Sequence, residues 1–366
     1  MAILRAGVIA ALAAAALFLA ACAAGDSPDD GAANVFIRSL PTGTSLPTPG
    51  PTLTPTATLT PTPSAMLTPT PEAPSPTPSP PPPPTSAPTD GGPASPTPVA
   101  AGGDGGSVEL APASVAQGGV FVVRLRNAPP EPTPVVLFSG VSHAMLLQAQ
   151  LWWAVIGVAA SFPPGQQAVQ ISTGAGADGI PILTITVVEA AFPEENIELP
   201  PETSQLLTDA PAIEDERVLL DSLYAGLTPE QLWSGVFVMP VAGPLGDAFG
   251  LKRSFNGGPF SNHTGVDIIA EEGTPVAAAN AGRVVYTGAL QLRGNTVVID
   301  HGAGVFTGYH HLSQINVVEG QTVGQGETIG AVGATGLVTA AHLHWELIVG
   351  GVRVDPLPWT QAEVGP

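Results

Sequence analysis

The chain has 366 residues and a formal net charge of −20 at pH 7, with 10 basic and 30 acidic side chains. This charge excludes nucleic acids and anionic lipid surfaces as electrostatic partners. A chain of this length accommodates about two domains. Its 43 glycines, 42 prolines and charged fraction of 11% indicate turn-rich β structure together with a segment that does not fold.

The N-terminus has the features of a bacterial lipoprotein signal. Arg5 precedes an apolar run from Val8 to Ala21, which is shorter than the ~20 residues of a membrane span and typical of a signal-peptide core. The run ends in Leu19-Ala20-Ala21-Cys22, which resembles a lipobox, and Cys22 is the only cysteine in the chain. We therefore expect residues 1–21 to be a lipoprotein signal peptide and Cys22 to be lipidated, anchoring the protein outside the bacterial cell membrane. The alternative is an ordinary signal peptide with a chance cysteine.

Residues 22–104 are predicted to be a disordered linker. Between Leu40 and Ala101 the sequence is dominated by Pro, Thr and Ser, and it offers too little apolar surface to offset the entropy of ordering. Because proline fixes φ, we expect an extended spacer with a rise of ~3.1 Å per residue. Such a spacer would hold the following domains away from the membrane.

Residues 105–190 are predicted to form an Ig-like β-sandwich. Short β-type runs recur here and are separated by turn signals such as Pro163-Pro164-Gly165. Regular short strands with such turns are typical of an antiparallel sandwich. The continuous apolar run from Leu151 to Ala160 is too short to span a bilayer and predicts a buried strand. The other runs are Val120–Arg126, Val135–Phe138, Ala168–Ile171 and Ile182–Val188.

Residues 191–238 form a connector that we expect to be partly helical. Apolar side chains at helical spacing predict one helix from Pro211 to Tyr224. A cap at Thr228 followed by Pro229 predicts the start of a second helix.

From residue 239 to 361 strand and turn patterns alternate, which predicts a compact antiparallel β domain. The fold class is therefore mainly β.

The chemistry of the chain is concentrated in this last domain, in three short motifs that contain His263 and Asp267, His310 and His311, and His342 and His344. Two imidazoles and a carboxylate are the ligands of a catalytic zinc that keeps one coordination position open. Residues two apart on a strand share a face at about 6.6 Å, so one residue of the pair 342 and 344 would bind metal while the other faces substrate.

The spacing of His263 and Asp267 limits whether both side chains can reach one metal ion. On a straight strand their α-carbons would be about 13 Å apart, which is too far for both side chains to reach one ion. The chain must therefore bend between them, and Gly265 is the residue that permits the bend.

These motifs resemble the M23 family of zinc metallopeptidases, of the LytM and lysostaphin type. The resemblance runs from about Pro240 to Trp359 and includes His-Thr-Gly-Val-Asp, Gly-Thr-Pro-Val, Asn-Thr-Val-Val-Ile-Asp-His-Gly, Tyr-His-His-Leu-Ser, His-Leu-His and Val-Asp-Pro, in that order. It implies that residues 239–361 are an M23 catalytic domain with one Zn²⁺ per chain. The implied activity is zinc-dependent hydrolysis of peptide bonds in peptidoglycan stem peptides or cross-bridges.

The resemblance also implies residue roles. His263, Asp267 and His344 become the zinc ligands, and His311 and His342 become the catalytic pair. Position 310, usually small in the family, is His here. His311 is chosen over it because it immediately precedes the Leu-Ser of the motif. Which histidine is the base stays open, and the sequence does not identify an activating partner.

Two other classes of protein compete with the peptidase. A non-catalytic relative that binds the cell wall or activates an amidase typically lacks metal ligands, whereas this chain keeps all five key residues. A biotinyl- or lipoyl-type carrier would fit the hairpin pattern of Val318–Ile329, but such a carrier needs a lysine at the hairpin tip. The only lysine of the chain is Lys252, so the carrier is excluded.

Polar residues near the motifs are predicted to have structural roles. Lys252 and Arg253 are expected to be a solvated surface pair, and His301 a hydrogen-bonding residue at a strand end. Asp247 and Glu346 are assigned no catalytic role.

Overall fold

The computed structural model describes residues 99–100, 107–173 and 182–366. These belong to one compact unit, Pro84–Pro366. The predicted signal peptide, the lipidation site at Cys22 and nearly all of the predicted linker lie outside the described residues. Within the described ranges, no helix combines the length and apolar character needed to cross a bilayer.

The first part of this unit is a sandwich of two five-stranded sheets. One sheet has the order β1-β2-β4-β8-β7 and the other β3-β10-β9-β5-β6. All pairings are antiparallel except that of β3 with β10. The strands are β1 Val99–Ala100, β2 Ser107–Ala111, β3 Ser114–Ala116, β4 Val120–Arg126, β5 Val135–Phe138, β6 Val141–Ala144, β7 Leu146–Gln148, β8 Leu151–Gly157, β9 Gly165–Ser172 and β10 Ile182–Val188.

Strand β8 is apolar along its whole length because both of its faces are covered. Ile156 packs into the core between the two sheets. Trp153 and Val155 belong instead to a second core shared with the last domain. Trp153 meets Trp233 edge to face, with ring centroids 6.1 Å apart. A strand covered on both faces reads as a continuous apolar run, so the sandwich packs firmly against the domain that follows it.

The connector contains one strand and two short helical segments besides the predicted helix. Strand β11 (Glu194–Ile197) is followed by helix α1 (Pro201–Ser204), a 3₁₀ turn (Gln205–Thr208) and helix α2 (Ala210–Tyr224). The carboxylate of Asp209 caps α2 by accepting from the Ala212 amide at 3.2 Å. The observed α2 overlaps the helix predicted from Pro211 to Tyr224.

The prediction of a second helix at Thr228 is wrong, since the chain from 225 to 235 is not helical. The Thr228 hydroxyl donates to the Asp300 carboxylate instead of capping a helix. The Thr228 carbonyl accepts from the Ala303 amide at 2.8 Å. These tertiary hydrogen bonds override the local capping signal.

The last domain is built on a large antiparallel sheet with the order β14-β22-β18-β17-β16-β20, and β23 pairs with β22. A smaller sheet has the order β15-β21-β19, and β12 pairs with β13 and, in parallel, with β11. The strands are β12 Lys252–Phe255, β13 Ser261–Asn262, β14 Val266–Ile269, β15 Pro275–Ala277, β16 Gly282–Leu290, β17 Gly294–Gly302, β18 Val305–Leu312, β19 Gln314–Ile315, β20 Thr322–Val323, β21 Thr328–Ala331, β22 His342–Val349 and β23 Val352–Val354; a 3₁₀ turn spans Leu357–Thr360.

Helix α2 covers one face of the large sheet. Its Leu220 and Tyr224 pack with Phe306 and Ile348 in a small apolar cluster. The other face of the sheet forms the main core of the domain. The mainly-β fold class expected from the sequence is confirmed, with the helix serving as a cover rather than as part of the core.

Candidate active site

Strand register brings the sequence-predicted site residues together near one edge of the large sheet, where β14 is the outermost strand. In the antiparallel pair β14 and β22, Asp267 lies directly opposite His344, and Ile269 lies opposite His342. His263 lies just before β14, beyond a bend at Gly265.

Gly265 permits this bend for a reason other than the one expected. Its φ does not lie in the left-handed region, so backbone freedom is not what the position requires. A Cβ at this position would instead collide with the backbone carbonyl oxygen of Trp345. The glycine is therefore required by the close approach of two backbones.

Three side-chain atoms converge on one point at the centre of the site. The distances are 2.9 Å from His263 Nε2 to His344 Nδ1, 3.1 Å from His263 Nε2 to Asp267 Oδ1, and 2.8 Å from His344 Nδ1 to Asp267 Oδ1. All three residues are buried. Ligands bound tetrahedrally to zinc at about 2.0–2.1 Å lie roughly 3.3 Å apart, so a small shift would seat an ion between these atoms.

The outward-facing ring nitrogens of His263 and His344 form hydrogen bonds that fix the tautomer of each ring. The nitrogen that faces the centre therefore carries a lone pair. The Nδ1–H of His263 donates to the carbonyl of Ala248 at 2.9 Å, and the Nε2–H of His344 donates to Glu346 Oε1 at 3.2 Å. A carbonyl and a carboxylate can only accept. The opposite ring nitrogens, together with Asp267 Oδ1, therefore direct lone pairs at one point, an arrangement that a cation stabilises.

The electrostatics of the three groups agree with this arrangement. A proton on the facing nitrogen of either ring can take the place of a cation: burial disfavours the Asp267 carboxylate, but hydrogen bonds from the protonated rings of His263 and His344 outweigh it and hold the pKa of Asp267 well below its usual range. Burial also opposes protonation of His344, yet the doubly protonated ring donates to both Asp267 and Glu346, and this raises its pKa. Burial lowers the pKa of His263. The centre is thus electron-rich and prefers positive charge.

His311 and His342 face the same cavity from the side. Their ring centroids are 4.9 Å apart. The Nδ1–H of His311 donates to the Thr335 carbonyl at 2.8 Å, and that of His342 to the Ala340 carbonyl at 2.9 Å. In this tautomer the Nε2 of each ring carries the lone pair and can accept a proton, and the Nε2 of His342 lies 3.6 Å from Asp267 Oδ1.

The two neighbouring histidines of strand β18 have different surroundings: His311 lines the cavity, whereas His310 lies behind it. His311 has a φ of 63°, a conformation rare for residues other than glycine and often found at functional sites. It lines the cavity. His310 is fully buried and its Nδ1 lies 3.0 Å from the Thr296 hydroxyl, so it lies behind the site.

Glu346 plays a larger part in the site than the sequence suggested. It is fully buried, and its Oε1 accepts from the Thr264 hydroxyl at 2.6 Å and from Arg293 Nη2 at 2.7 Å, in addition to His344. Arg293, Arg353 and the hydrogen bonds of the histidines outweigh burial and hold the pKa of Glu346 well below its usual range. Glu346 is thus a permanent carboxylate that orients His344.

The expectation of a solvated pair at Lys252 and Arg253 is wrong for Arg253. Its side chain is only 16% exposed, and its Nη2 donates to Asp267 Oδ2 at 2.8 Å and to the Asp247 carboxylate. Arg253 therefore holds the oxygen of Asp267 that faces away from the centre. Lys252 does lie at the surface, 3.1 Å from Glu194.

The cavity in front of these residues has a volume of about 330 Å³. Besides the histidines, its walls include apolar side chains that sequence reasoning did not connect with the site. Ile197 and Leu199 come from the connector, whereas Leu337 and Val338 come from the loop before β22. Strand β11 brings the connector residues here because it pairs with β12.

Comparisons with known proteins agree with this geometry. Residues 261–356 match the sequence profile of peptidase family M23. The chain is 41% identical over 112 residues to peptidoglycan DD-endopeptidase ShyC of Vibrio cholerae, covering 30% of this chain and 26% of that protein. It is 47% identical over 95 residues to peptidoglycan DD-endopeptidase ShyA of the same organism, covering 26% and 22%. The aligned segments span about a quarter of these relatives.

A solved structure extends the likeness beyond that segment. The crystal structure of a Pseudomonas aeruginosa protein assigned to peptidase M23 matches with a TM-score of 0.52 and 29% identity. The match covers 68% of this chain and 96% of that one. This share is larger than residues 261–356, so the shared fold includes elements that precede the family segment.

Proposed function

We propose, from the match of residues 261–356 to peptidase family M23, that the protein is a zinc-dependent endopeptidase that cleaves peptide bonds in bacterial peptidoglycan. The observation that carries the proposal is the convergence of lone pairs from His263, Asp267 and His344 on one buried point. His311 and His342 line the same cavity. Two imidazoles and a carboxylate with one open position are the ligand set of catalytic rather than structural zinc.

In this proposal His263, Asp267 and His344 hold the metal. Zinc, when bound, acidifies water and polarises the scissile carbonyl. The Nε2 atoms of His311 and His342 then divide two tasks. One, as a neutral ring, would accept the proton of the attacking water; the other would first take up a proton from solvent at Nε2 and then donate it to the developing oxyanion or to the leaving amine. Burial and the neighbouring histidines keep the pKa of His311 well below its usual value, so this ring begins the reaction as a neutral acceptor.

The substrate and the location are proposed from the relatives and from the N-terminal sequence. Two relatives bear the name peptidoglycan DD-endopeptidase, which supports stem peptides or cross-bridges as the substrate. A lipid on Cys22 would anchor the protein on the outer side of the membrane, and the Pro-rich spacer would let the catalytic domain reach the wall.

The proposal is tested by digesting purified peptidoglycan with the zinc-loaded protein and identifying the released fragments by mass spectrometry, with and without a chelator. We expect chelator-sensitive release of fragments whose new termini identify the scissile bond. Fragments that appear equally with the chelator would contradict a role for zinc. An absence of cleavage with one zinc bound per chain would contradict the enzyme and favour a wall-binding or amidase-activating protein.

The division of roles is tested by two matched variants of strand β22. We expect His344→Ala to abolish zinc binding, because it removes a ligand. We expect His342→Ala to keep one zinc per chain and lose activity by 10²-fold or more, on the order of a general acid–base contribution. Bound zinc is measured by atomic absorption after dialysis. Equal loss of metal in both variants would contradict the assignment.

A further inference from the structure

Helix α2 lies outside the family segment, yet one of its side chains reaches the interior behind the active site. Glu216 is 4% exposed, whereas Glu214 and Asp215 next to it are exposed. Its Oε2 accepts from the Leu292 amide at 2.7 Å, and its Oε1 accepts from Arg293 Nη1 at 2.9 Å. Both carboxylate oxygens of Glu216 are thus committed to the turn between strands β16 and β17.

That turn supports two of the residues proposed to form the site. Arg293 Nη2 donates to Glu346 Oε1 at 2.7 Å, and Glu346 accepts from the metal-binding candidate His344. The carbonyl of Arg293 also accepts from the amide of His311 at 2.9 Å, at the residue whose φ is unusual. A displacement of Arg293 would therefore disturb both His344 and His311.

Docking of the helix does not by itself explain a buried carboxylate. Leu220 and Tyr224 already attach α2 to the sheet through Phe306 and Ile348. A buried ion pair is a poor source of stability, because desolvation of both charges offsets their attraction. The charge of Glu216 is better explained by the orientation that it gives to Arg293.

We propose that Glu216 is a positioning residue of the metal centre: it holds Arg293 so that Glu346 stays aligned on His344. The proposal rests on the proposed function only in taking His344 as a zinc ligand. In this proposal helix α2 of the connector belongs to the catalytic unit. Partners behind metal ligands typically change metal affinity by 10- to 100-fold when they are removed. Glu216 acts through one further residue, so we expect the lower end of that range.

The test is the zinc affinity of Glu216→Gln, measured by competition with a chromogenic chelator well below the unfolding temperature. We expect the dissociation constant to rise about tenfold. The visible spectrum of the cobalt-substituted protein should change as well, because the ligand field depends on how His344 is held. Asp215→Asn is the matched control, since it removes the same charge from an exposed position on the same helix, and it should leave both readouts unchanged.

A second control separates positioning from docking. Leu220→Ala removes buried apolar contacts of α2 without touching Glu216, so it should lower the thermal unfolding temperature and leave the zinc affinity unchanged. Equal weakening of zinc binding by Leu220→Ala and Glu216→Gln would overturn the proposal, as would an unchanged affinity in Glu216→Gln. If Glu216→Gln does not fold, Glu216→Asp, which keeps the charge but shortens its reach, is expected to give the same loss.

The parent protein is measured first, so that the two proposals fail separately. A parent that binds no zinc contradicts the metallopeptidase and this inference together. A parent that binds zinc and cleaves peptidoglycan, with an unaltered Glu216→Gln affinity, contradicts this inference alone.

Discussion

Acidification should destabilise the fold through His301, which packs against Phe237 of the main core. This side chain is fully buried. Its Nδ1–H donates to the Ala281 carbonyl at 2.7 Å, and its Nε2 lies 2.7 Å from the Thr307 hydroxyl, which can donate to it. Phe237 packs against the ring edge to face at 5.1 Å. The neutral ring is therefore fully satisfied, and a second proton would have no counter-charge.

The sign and size of the effect follow from the pKa of this group. Burial lowers the pKa of His301 from 6.5 to about 4, although the hydrogen bond to Ala281 acts in the opposite direction. The unfolded chain therefore binds a proton more readily than the folded one. The contribution of His301 to stability is fully present above pH 6.5 and is lost as the pH falls towards 4. At about 1.4 kcal/mol per pKa unit, the complete loss is about 3 kcal/mol.

The assay is urea unfolding of the metal-free protein at several pH values between 7 and 4, followed by tryptophan fluorescence. His301→Gln keeps an amide that can donate to Ala281 but cannot titrate. We expect the free energy of unfolding to fall less steeply with acid in this variant, by about 3 kcal/mol over the range. Carboxylates and other histidines titrate in both proteins, so only the difference between the two profiles reports on His301. Parallel profiles would refute the assignment of a neutral, acid-sensitive His301.

Three further outcomes are expected. Arg253→Met should weaken zinc binding about tenfold because it frees the outer oxygen of Asp267, the proposed aspartate ligand, whereas Lys252→Met should not. Equal affinities of the two variants by chelator competition would count against this role. Gly265→Ala should lower the thermal unfolding temperature and abolish zinc binding, because its Cβ would clash with the adjacent backbone. The control is Gly324→Ala, which has open space around it and whose free energy of unfolding should stay within about 0.5 kcal/mol of the parent's. Similar melting curves of the two variants would show that the backbones are not in close contact at Gly265. Zinc at a thousand times its dissociation constant should stabilise the folded state by about 4 kcal/mol, and an unchanged unfolding temperature would contradict a preformed metal site.

Strand periodicity explains what could be predicted of the site. His342 and His344 share one face of β22 because they are two residues apart, and the structure places both in the cavity. The same alternation continues to Glu346, a charged residue within an apolar strand. This charged residue indicates a partner for His344, and a supporting carboxylate of this kind agrees with the expectation that Glu346 has no catalytic role.

Other features depend on contacts that no local pattern encodes. Glu216 and Arg293 are 77 residues apart in the chain, and nothing around either residue indicates the other. Arg253 resembles any surface cation until the fold brings Asp267 to it. Strand β11 has the sequence Glu-Glu-Asn-Ile, without apolar alternation, and exists because its backbone pairs with β12. Thr228 carries a genuine capping signal that tertiary hydrogen bonds override.

The pairing of β11 with β12 has a consequence for protein engineering. A fusion that transplants the catalytic module from residue 239 onward would leave β12 without its parallel neighbour and expose an unpaired strand edge, which is a template for aggregation. It would also remove Ile197 and Leu199 from the wall of the cavity. A fusion should therefore begin before Glu194, so that the transplanted module includes the edge strand β11 and helix α2.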